Sequence, residues 1–505
     1  MAISNILDLL PELILLLGAL GLFVVCLGEQ QGRRARLVTA GVALVAVLGG
    51  IAAIGRSAVL FDGAYRIDAF SQWLKLVIVI GLALVVLLGG ELKDIRSAIR
   101  AEYYLFLVLS VSGLAMLVSC IDLITLVVAL ELSSFPLYLM VPMRRERDLQ
   151  RNQMESAIKY IMFGVAANGI MLFGLSYLYG LTGTTSLPVM LDRLQPVIRT
   201  PLAVAGLAMT FAGLFYKLAV FPFHFWTPDV YQGASNETAG FIASLPKLGG
   251  IAVLVRVASL APPGTQVIAT LLATLAVASM FYGNLIALAQ TDFKRLLGFS
   301  GIAHAGYAVI GLVAGDAAGH TAALYYIVAY MFMVLACFVV ISRVSRDGTN
   351  VAISELAGLH RRSPWLAATL LVGVFALAGI PPFAGFIGKF ALLKAALARG
   401  YLALVIIAVV NTAIAVYYYL CVVREACFRD AADPSPIPLD GPTRCLCGVL
   451  IAAILVLGLA PSRILDTISD SLDLRRPTSA AALAIVDAPH SATIPGFVIR
   501  PGHVP

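Results

Sequence analysis

Four ionisable residues stand in the middle of long apolar runs. They are Glu131 in Leu130-Glu131-Leu132-Ser133-Ser134-Phe135-Pro136-Leu137-Tyr138, Lys217 in Phe215-Tyr216-Lys217-Leu218-Ala219, Lys247 in Leu245-Pro246-Lys247-Leu248, and Lys389 in Ile387-Gly388-Lys389-Phe390. A charge at the centre of a membrane helix costs at least about 2.5–3.5 kcal/mol on insertion scales, so such residues are rarely incidental. The chain holds 27 arginines and 8 lysines, and six of the lysines lie inside apolar runs against a single arginine, Arg256. A buried lysine can give up its proton whereas arginine cannot, so this sorting is the one that proton transfer requires. A carboxylate facing a lysine, as Glu131 facing Lys217, would hold it charged and release its proton on moving or on being protonated. The alternative for each of these residues is a structural ion pair. Lys159, near the end of its run, and His304 and His224, whose imidazoles exchange protons near neutral pH, are further candidates. Lys75 is expected to snorkel to the outer interface, and Lys394 and Arg256 to snorkel or pair.

The elements that carry these residues follow from composition. Of 505 residues, 60% are hydrophobic and 12% charged, and mean hydropathy is +0.94. About 25% charge is usual in a soluble protein, so the chain belongs in a bilayer. Apolar runs near 9–29, 34–55, 72–91, 103–119, 121–142, 156–181, 201–232, 239–261, 265–289, 298–315, 318–343, 364–399, 401–423 and 444–462 predict fourteen spans. With residue 1 outside, 19 loop cations fall on the inner side and 5 on the outer. Cytoplasmic loops carry the excess of Lys and Arg, so both termini are expected outside. The net charge of +7 is spent on these short clusters and gives no nucleic-acid-binding face. Seven cysteines include no C-x-x-C, and no P-loop or G-x-G-x-x-G is present, so no metal, cofactor or nucleotide is expected on this chain. The first apolar run lacks the flanks of a signal peptide and reads as a retained span. Residues 464–505, with five prolines, read as a flexible tail.

Two spans are too long for one crossing and carry proline near the middle, at Phe221-Pro222-Phe223-His224 and at Ile380-Pro381-Pro382-Phe383. Proline removes a donor and blocks the carbonyl one turn back, so both helices should break there. The breaks fall five spans apart, and an odd offset reverses orientation. Spans 4–8 and 9–13 therefore read as two inverted five-helix repeats, each with a proline-broken helix. The expected division is three N-terminal helices in 1–100, the repeats in 101–262 and 263–426, a last helix in 427–463 and the tail.

At these residues the chain resembles the antiporter-like membrane subunits of respiratory complex I, shared with multisubunit sodium/proton antiporters and membrane-bound hydrogenases. It is most similar to the N-type branch of bacterial NADH:quinone oxidoreductase. The resemblance is carried by the Glu131 run above, by Glu155-Ser156-Ala157-Ile158-Lys159-Tyr160, by Phe221-Pro222-Phe223-His224-Phe225-Trp226-Thr227-Pro228, by Asp292-Phe293-Lys294-Arg295-Leu296-Leu297, and by Gly379-Ile380-Pro381-Pro382-Phe383-Ala384-Gly385-Phe386-Ile387-Gly388-Lys389. It implies an all-α fold of fourteen spans that couples quinone reduction elsewhere to proton transfer here. By motif position Glu131 and Lys217 resemble the family's Glu/Lys pair, Lys247 its central lysine, Lys389 the residue leading to the outer exit and Lys159 a linking lysine. NADH, FMN, iron–sulfur clusters and quinone are then expected on other subunits. The implied partners are other complex I membrane subunits, further antiporter-like ones among them, and the implied location is the bacterial inner membrane. Two departures stand out: Ser235-Asn236-Glu237-Thr238 replaces a proline-containing run, and Pro246 precedes Lys247, which predicts an altered helix there. The competing readings are a subunit of a stand-alone sodium/proton antiporter and a scaffold that does not pump.

Overall fold

The computed structural model of the chain describes residues 7–28, 32–146, 152–261 and 265–472. Its helices are α1 Leu10–Cys26, α2 Gly32–Ala53, α3 Ala69–Gly89, α4 Arg100–Leu117, α5 Leu123–Met140, α6 Asn152–Thr182, α7 Leu187–Leu194, α8 Pro201–Leu218, α9 Trp226–Gly233 and α10 Asn236–Ala258. They continue as α11 Gln266–Ala287, α12 Phe293–Ala314, α13 Ala317–Val344, α14 Leu359–Arg362, α15 Pro364–Ala378, α16 Ala384–Ala398, α17 Leu402–Phe428, α18 Gly441–Leu459 and α19 Ser462–Ser471. Twelve helices among the described residues are long and apolar enough to cross a bilayer, and the shorter apolar α1 and α15 bring the set to the fourteen runs read from the sequence. A hairpin of Ala58–Leu60 and Tyr65–Ile67 joins α2 to α3.

Short polar residues start the helices by binding amides that the first turn leaves open. Asp122 accepts from Ile124 N at 2.9 Å, Asp292 from Arg295 N at 2.9 Å and Asp316 from Gly319 N at 2.8 Å. Between these ends the helical ladder satisfies the backbone, as hydrocarbon demands, except where Pro136 in α5 and Pro246 in α10 bring no N–H to it. Burial sorts the helices into two layers. The spanning windows of α10 and α12 are wholly enclosed and that of α13 nearly so, whereas α2, α6, α11 and α17 turn most of their surface outward. Leu172, Phe173, Val409 and Tyr417 are among the exposed apolar side chains of that outer layer. The three enclosed helices carry Lys247, His304, Tyr307, Tyr326 and Tyr330.

Both expected breaks are present and share one backbone pattern. After α8, Ala219 turns left-handed at φ +66°, its N–H bonds Tyr216 O at 3.1 Å and Val220 N bonds Phe215 O at 2.9 Å. After α15, Gly379 does the same at φ +85°, with Gly379 N to Ala376 O at 3.0 Å and Ile380 N to Phe375 O at 3.0 Å. This is the helix-ending Schellman arrangement. A proline turn follows in each, closed by Phe223 N to Val220 O at 2.8 Å and Phe383 N to Ile380 O at 3.2 Å. The Phe221–Pro222 and Pro381–Pro382 bonds are cis.

Two expectations are corrected. Pro246 does not break its helix, because α10 runs unbroken from Asn236 to Ala258 inside a shell of other helices. The tail does not begin at 464: α19 continues to Ser471 with Ile468 buried, and the rest of the tail, 473–505, lies outside the described residues.

Candidate functional site

The first station is built on α5, α6 and α8. Lys217, in the last turn of α8, is 6% exposed, and its Nζ donates to the Ser133 hydroxyl and, at 2.9 Å, to the Ser134 hydroxyl. Packing of α4 fixes those serines: Ser110 donates to Ser133 O at 2.6 Å, and a Cβ on Gly113 would lie 2.4 Å from Ser133 N. Glu131 is half-buried one turn back along α5, and Asn168 Nδ2 donates to its Oε1 at 2.5 Å. The expected direct Glu131–Lys217 contact is absent, since no ion pair joins them within 4.0 Å and the two serines take the ammonium instead. The two groups remain within electrostatic reach of each other. Tyr138 and Tyr216 close the station against Gly164, where a Cβ would meet their hydroxyls at 2.3 and 2.9 Å.

The second station lies on the enclosed helices. Lys247 is 1% exposed and donates to Gly301 O at 3.1 Å, with its Nζ 4.8 Å from the centre of the Tyr330 ring. Gly301 has to be glycine for this approach: a Cβ there would lie 2.9 Å from the Tyr330 hydroxyl, 3.1 Å from Lys247 Nζ and 4.0 Å from the Tyr231 hydroxyl. Lys217 packs against α10 one turn beyond Lys247, since a Cβ on Gly250 would lie 3.5 Å from Lys217 Cγ.

His304, one turn beyond Gly301, links this station to the third. Its Nδ1 pairs with the Tyr326 hydroxyl at 2.6 Å and its Nε2 with the Tyr419 hydroxyl at 3.1 Å, and its ring centre lies 5.0 Å from that of Tyr330. Lys389 stands 4.8 Å over the Tyr307 ring and donates to Leu377 O at 3.2 Å and Ala378 O at 3.1 Å. Those oxygens are carbonyls left open where α15 ends.

The resulting row runs Glu131, Lys217, Lys247, His304, Lys389. Its three lysines bind hydroxyls and carbonyls, and none has a carboxylate within 4.0 Å among the described residues. A lysine paired with a carboxylate is held charged, whereas one held by neutral oxygens can pass a proton to a neighbour without breaking an ion pair.

The other candidates are placed elsewhere. Lys159 is one-third exposed and bound to Glu155 and Asp229, each at 2.7 Å, with Arg295 on the far oxygen of Asp229 at 2.8 Å. It belongs to a charge cluster off the row. His224 is buried among Phe221, Phe225 and Tyr282, and neither ring nitrogen has a hydrogen-bond partner. Lys75 does not snorkel; it is 0% exposed and paired with Glu12 at 2.5 Å, because α1 brings that carboxylate, itself accepting from Tyr65, against it. Arg256 is buried with Asp68 at 3.6 Å, and Lys394 is exposed.

Sequence reasoning missed the neutral partners Ser133, Ser134, Tyr326 and Tyr419, which look like ordinary span residues. It also counted Lys294 among loop cations, although it is 0% exposed.

Residues 120–415 match the family model described as NADH:quinone oxidoreductase/Mrp antiporter, transmembrane. The chain belongs to this family. Within it, this is an antiporter-like membrane subunit of the N type. NADH-quinone oxidoreductase subunit N 2 of Opitutus terrae is 63% identical over 470 residues, covering 93% of this chain and 98% of the relative. The protein of the same description in Syntrophobacter fumaroxidans is 42% identical, covering 91% of this chain and 98% of the relative. A chain of respiratory complex I from Thermus thermophilus with bound aureothin matches at TM-score 0.78 and 32% identity, over 91% of this antiporter-like subunit and all of that chain. A chain of the Mrp complex from Dietzia sp. DQ12-45-1b matches at TM-score 0.82 and 20% identity, which shows a shared fold.

Proposed function

We propose that this chain is the proton-translocating N-type subunit of an NADH:quinone oxidoreductase, and that Glu131, Lys217, Lys247, His304 and Lys389 carry the proton. The observation behind this reading is the row itself: three buried lysines on neutral partners, joined through His304 and its tyrosines. Moving one charge through 100 mV requires about 2.3 kcal/mol, which coupling between buried ionisable groups can supply. Quinone reduction occurs on other subunits, which hold FMN, the iron–sulfur clusters and the quinone site. Further membrane subunits of that complex, antiporter-like ones included, are the partners within the bilayer. The excess of loop cations supports an inner-membrane orientation with both termini periplasmic. The matching hydrogen-bond patterns at Ala219 and Gly379 support two inverted repeats over 101–262 and 263–426, between three N-terminal helices in 1–100 and one last helix in 427–463.

The test uses the assembled oxidoreductase in its native membrane. Lys217→Ala or Lys247→Ala is expected to lower NADH-driven proton uptake at least tenfold with the complex still assembled. Unchanged proton movement in both would sink the reading and leave a scaffold that does not pump. Transport that follows sodium instead would point to the antiporter.

A further inference from the structure

Among the buried ionisable groups outside the row, one acid and one base sit close together without closing into an ion pair. Glu237, in the first turn of α10, is 5% exposed, and its Oε2 has no hydrogen-bond partner. Lys294, in the first turn of α12, is 0% exposed and donates to Ala234 O at 2.9 Å. They lie within electrostatic reach of each other but form no ion pair within 4.0 Å.

Their neighbours make that separation informative. Beside them Asp94 and Arg144 form a closed structural pair at 2.6 Å, with Arg144 also donating to Gln232 O at 2.7 Å and Gly348 O at 3.1 Å. A pair kept only for stability closes to contact in this way, because an unbonded buried carboxylate oxygen is costly. The remaining ionisable groups acting on the two are Asp292, Tyr103 and Tyr104, with Arg36 and Arg100 acting on Tyr104. Glu237 and Tyr104 converge at Gly89, where a Cβ would lie 3.8 Å from Glu237 Cγ and 4.0 Å from the Tyr104 hydroxyl, which also lacks a partner.

Position along the helices gives the pair a direction. Glu237 precedes Lys247 on α10 by about 15 Å of helix rise, and Lys294 precedes Gly301, the acceptor of Lys247, by about 10 Å on α12. Both therefore sit beneath Lys247 on the same two helices, at the end bearing the arginine-rich loops. Ser244 falls on the Glu237 face of α10 between the levels, and the Tyr231 hydroxyl near Gly301 has no partner.

We infer that Glu237 and Lys294 form a loading site through which protons from the side of the arginine-rich loops reach Lys247. A proton taken up by the Glu237 carboxylate passes to the neutral amine of Lys247. The carboxylate left behind is balanced by the ammonium of Lys294, which stands within electrostatic reach of it. The inference rests on the proposed role of Lys247. Glu237 belongs to the run Ser235-Asn236-Glu237-Thr238, one of the two departures noted in the sequence.

The test measures NADH-driven proton uptake against pH in membranes holding the assembled complex, for Glu237→Gln, Glu237→Asp and Lys247→Ala. Glu237→Gln is expected to lower uptake about threefold to tenfold and to flatten its pH dependence, and Glu237→Asp to restore the rate with a displaced profile. If Lys247→Ala abolishes uptake while Glu237→Gln matches the parent in rate and profile, the loading site is wrong and the proposed function stands. If Lys247→Ala is without effect, the proposed role of Lys247 fails and the loading site falls with it, and the proposed function fails too if Lys217→Ala is equally silent. Where Glu237→Gln does not assemble, the Glu237→Asp profile decides: a displaced profile supports the site, and a profile identical to the parent's overturns it.

Discussion

The helix break after α8 and the break after α15 are closed by the same two backbone hydrogen bonds, yet they present their lysines in opposite ways. Lys217 lies before its break and reaches sideways to hydroxyls on α5, whose position depends on the packing of α4. Lys389 lies beyond its break and folds back onto carbonyls of the helix just ended. The first station is thus assembled between helices, and the third, at Lys389, is contained within one broken span. The left-handed residue differs to match. Ala219 holds its methyl in a fully buried site, whereas a Cβ on Gly379 would lie 3.0 Å from Lys389 Cδ and 3.2 Å from its Nζ.

This contrast can be broken from several sides. Gly379→Val is expected to be the most damaging change. It combines about 1–3 kcal/mol for a left-handed non-glycine residue with a similar cost for the collision with Lys389, and should be read as loss of assembled complex. Next comes the structural pair in the N-terminal helices. Lys75→Met, leaving the largely buried Glu12 carboxylate with only the Tyr65 hydroxyl, should cost up to about 3–5 kcal/mol in thermal inactivation while leaving proton uptake per assembled complex unchanged. A fall in that ratio would move Lys75 into the transfer route. Ser133→Ala together with Ser134→Ala removes both side-chain partners of Lys217, at about 1–3 kcal/mol per orphaned bond, and should lower proton uptake about tenfold. Lys389 has no equivalent variant, because its partners are main-chain oxygens. The smallest effect is expected from Ala219→Gly, within about 1 kcal/mol of the parent in thermal inactivation, since relief of the left-handed methyl offsets the added freedom of the unfolded chain.

The spans, both breaks and the central lysines were legible because each rests on a local signal: an apolar run of fixed length, a proline inside it, a cation where none is cheap. What escaped depends on partners distant in sequence. Lys75 looks like an interfacial anchor until α1 places Glu12 beside it. Lys294 looks like a loop cation until α9 and α10 cover it. The chain distance between Lys217 and its serines, and between His304 and Tyr419, hides hydrogen bonds that depend on which helix faces are brought together. Pro246 misled for a different reason. The break after α8 follows a left-handed residue, Ala219, that ends the helix ahead of its proline, whereas no such residue precedes Pro246 in α10.

The carbonyls that hold Lys389 have one further consequence. A helix C-terminus carries roughly half an elementary negative charge spread over its open carbonyls, and no proton can neutralise it. The counter-charge at this station is therefore fixed at every pH, unlike a carboxylate, which vanishes on protonation. Acidifying the surroundings cannot switch it off. A movement of α16 that lifts the ammonium away from the end of α15 would do so, which ties this counter-charge to the geometry of the break rather than to a titrating group.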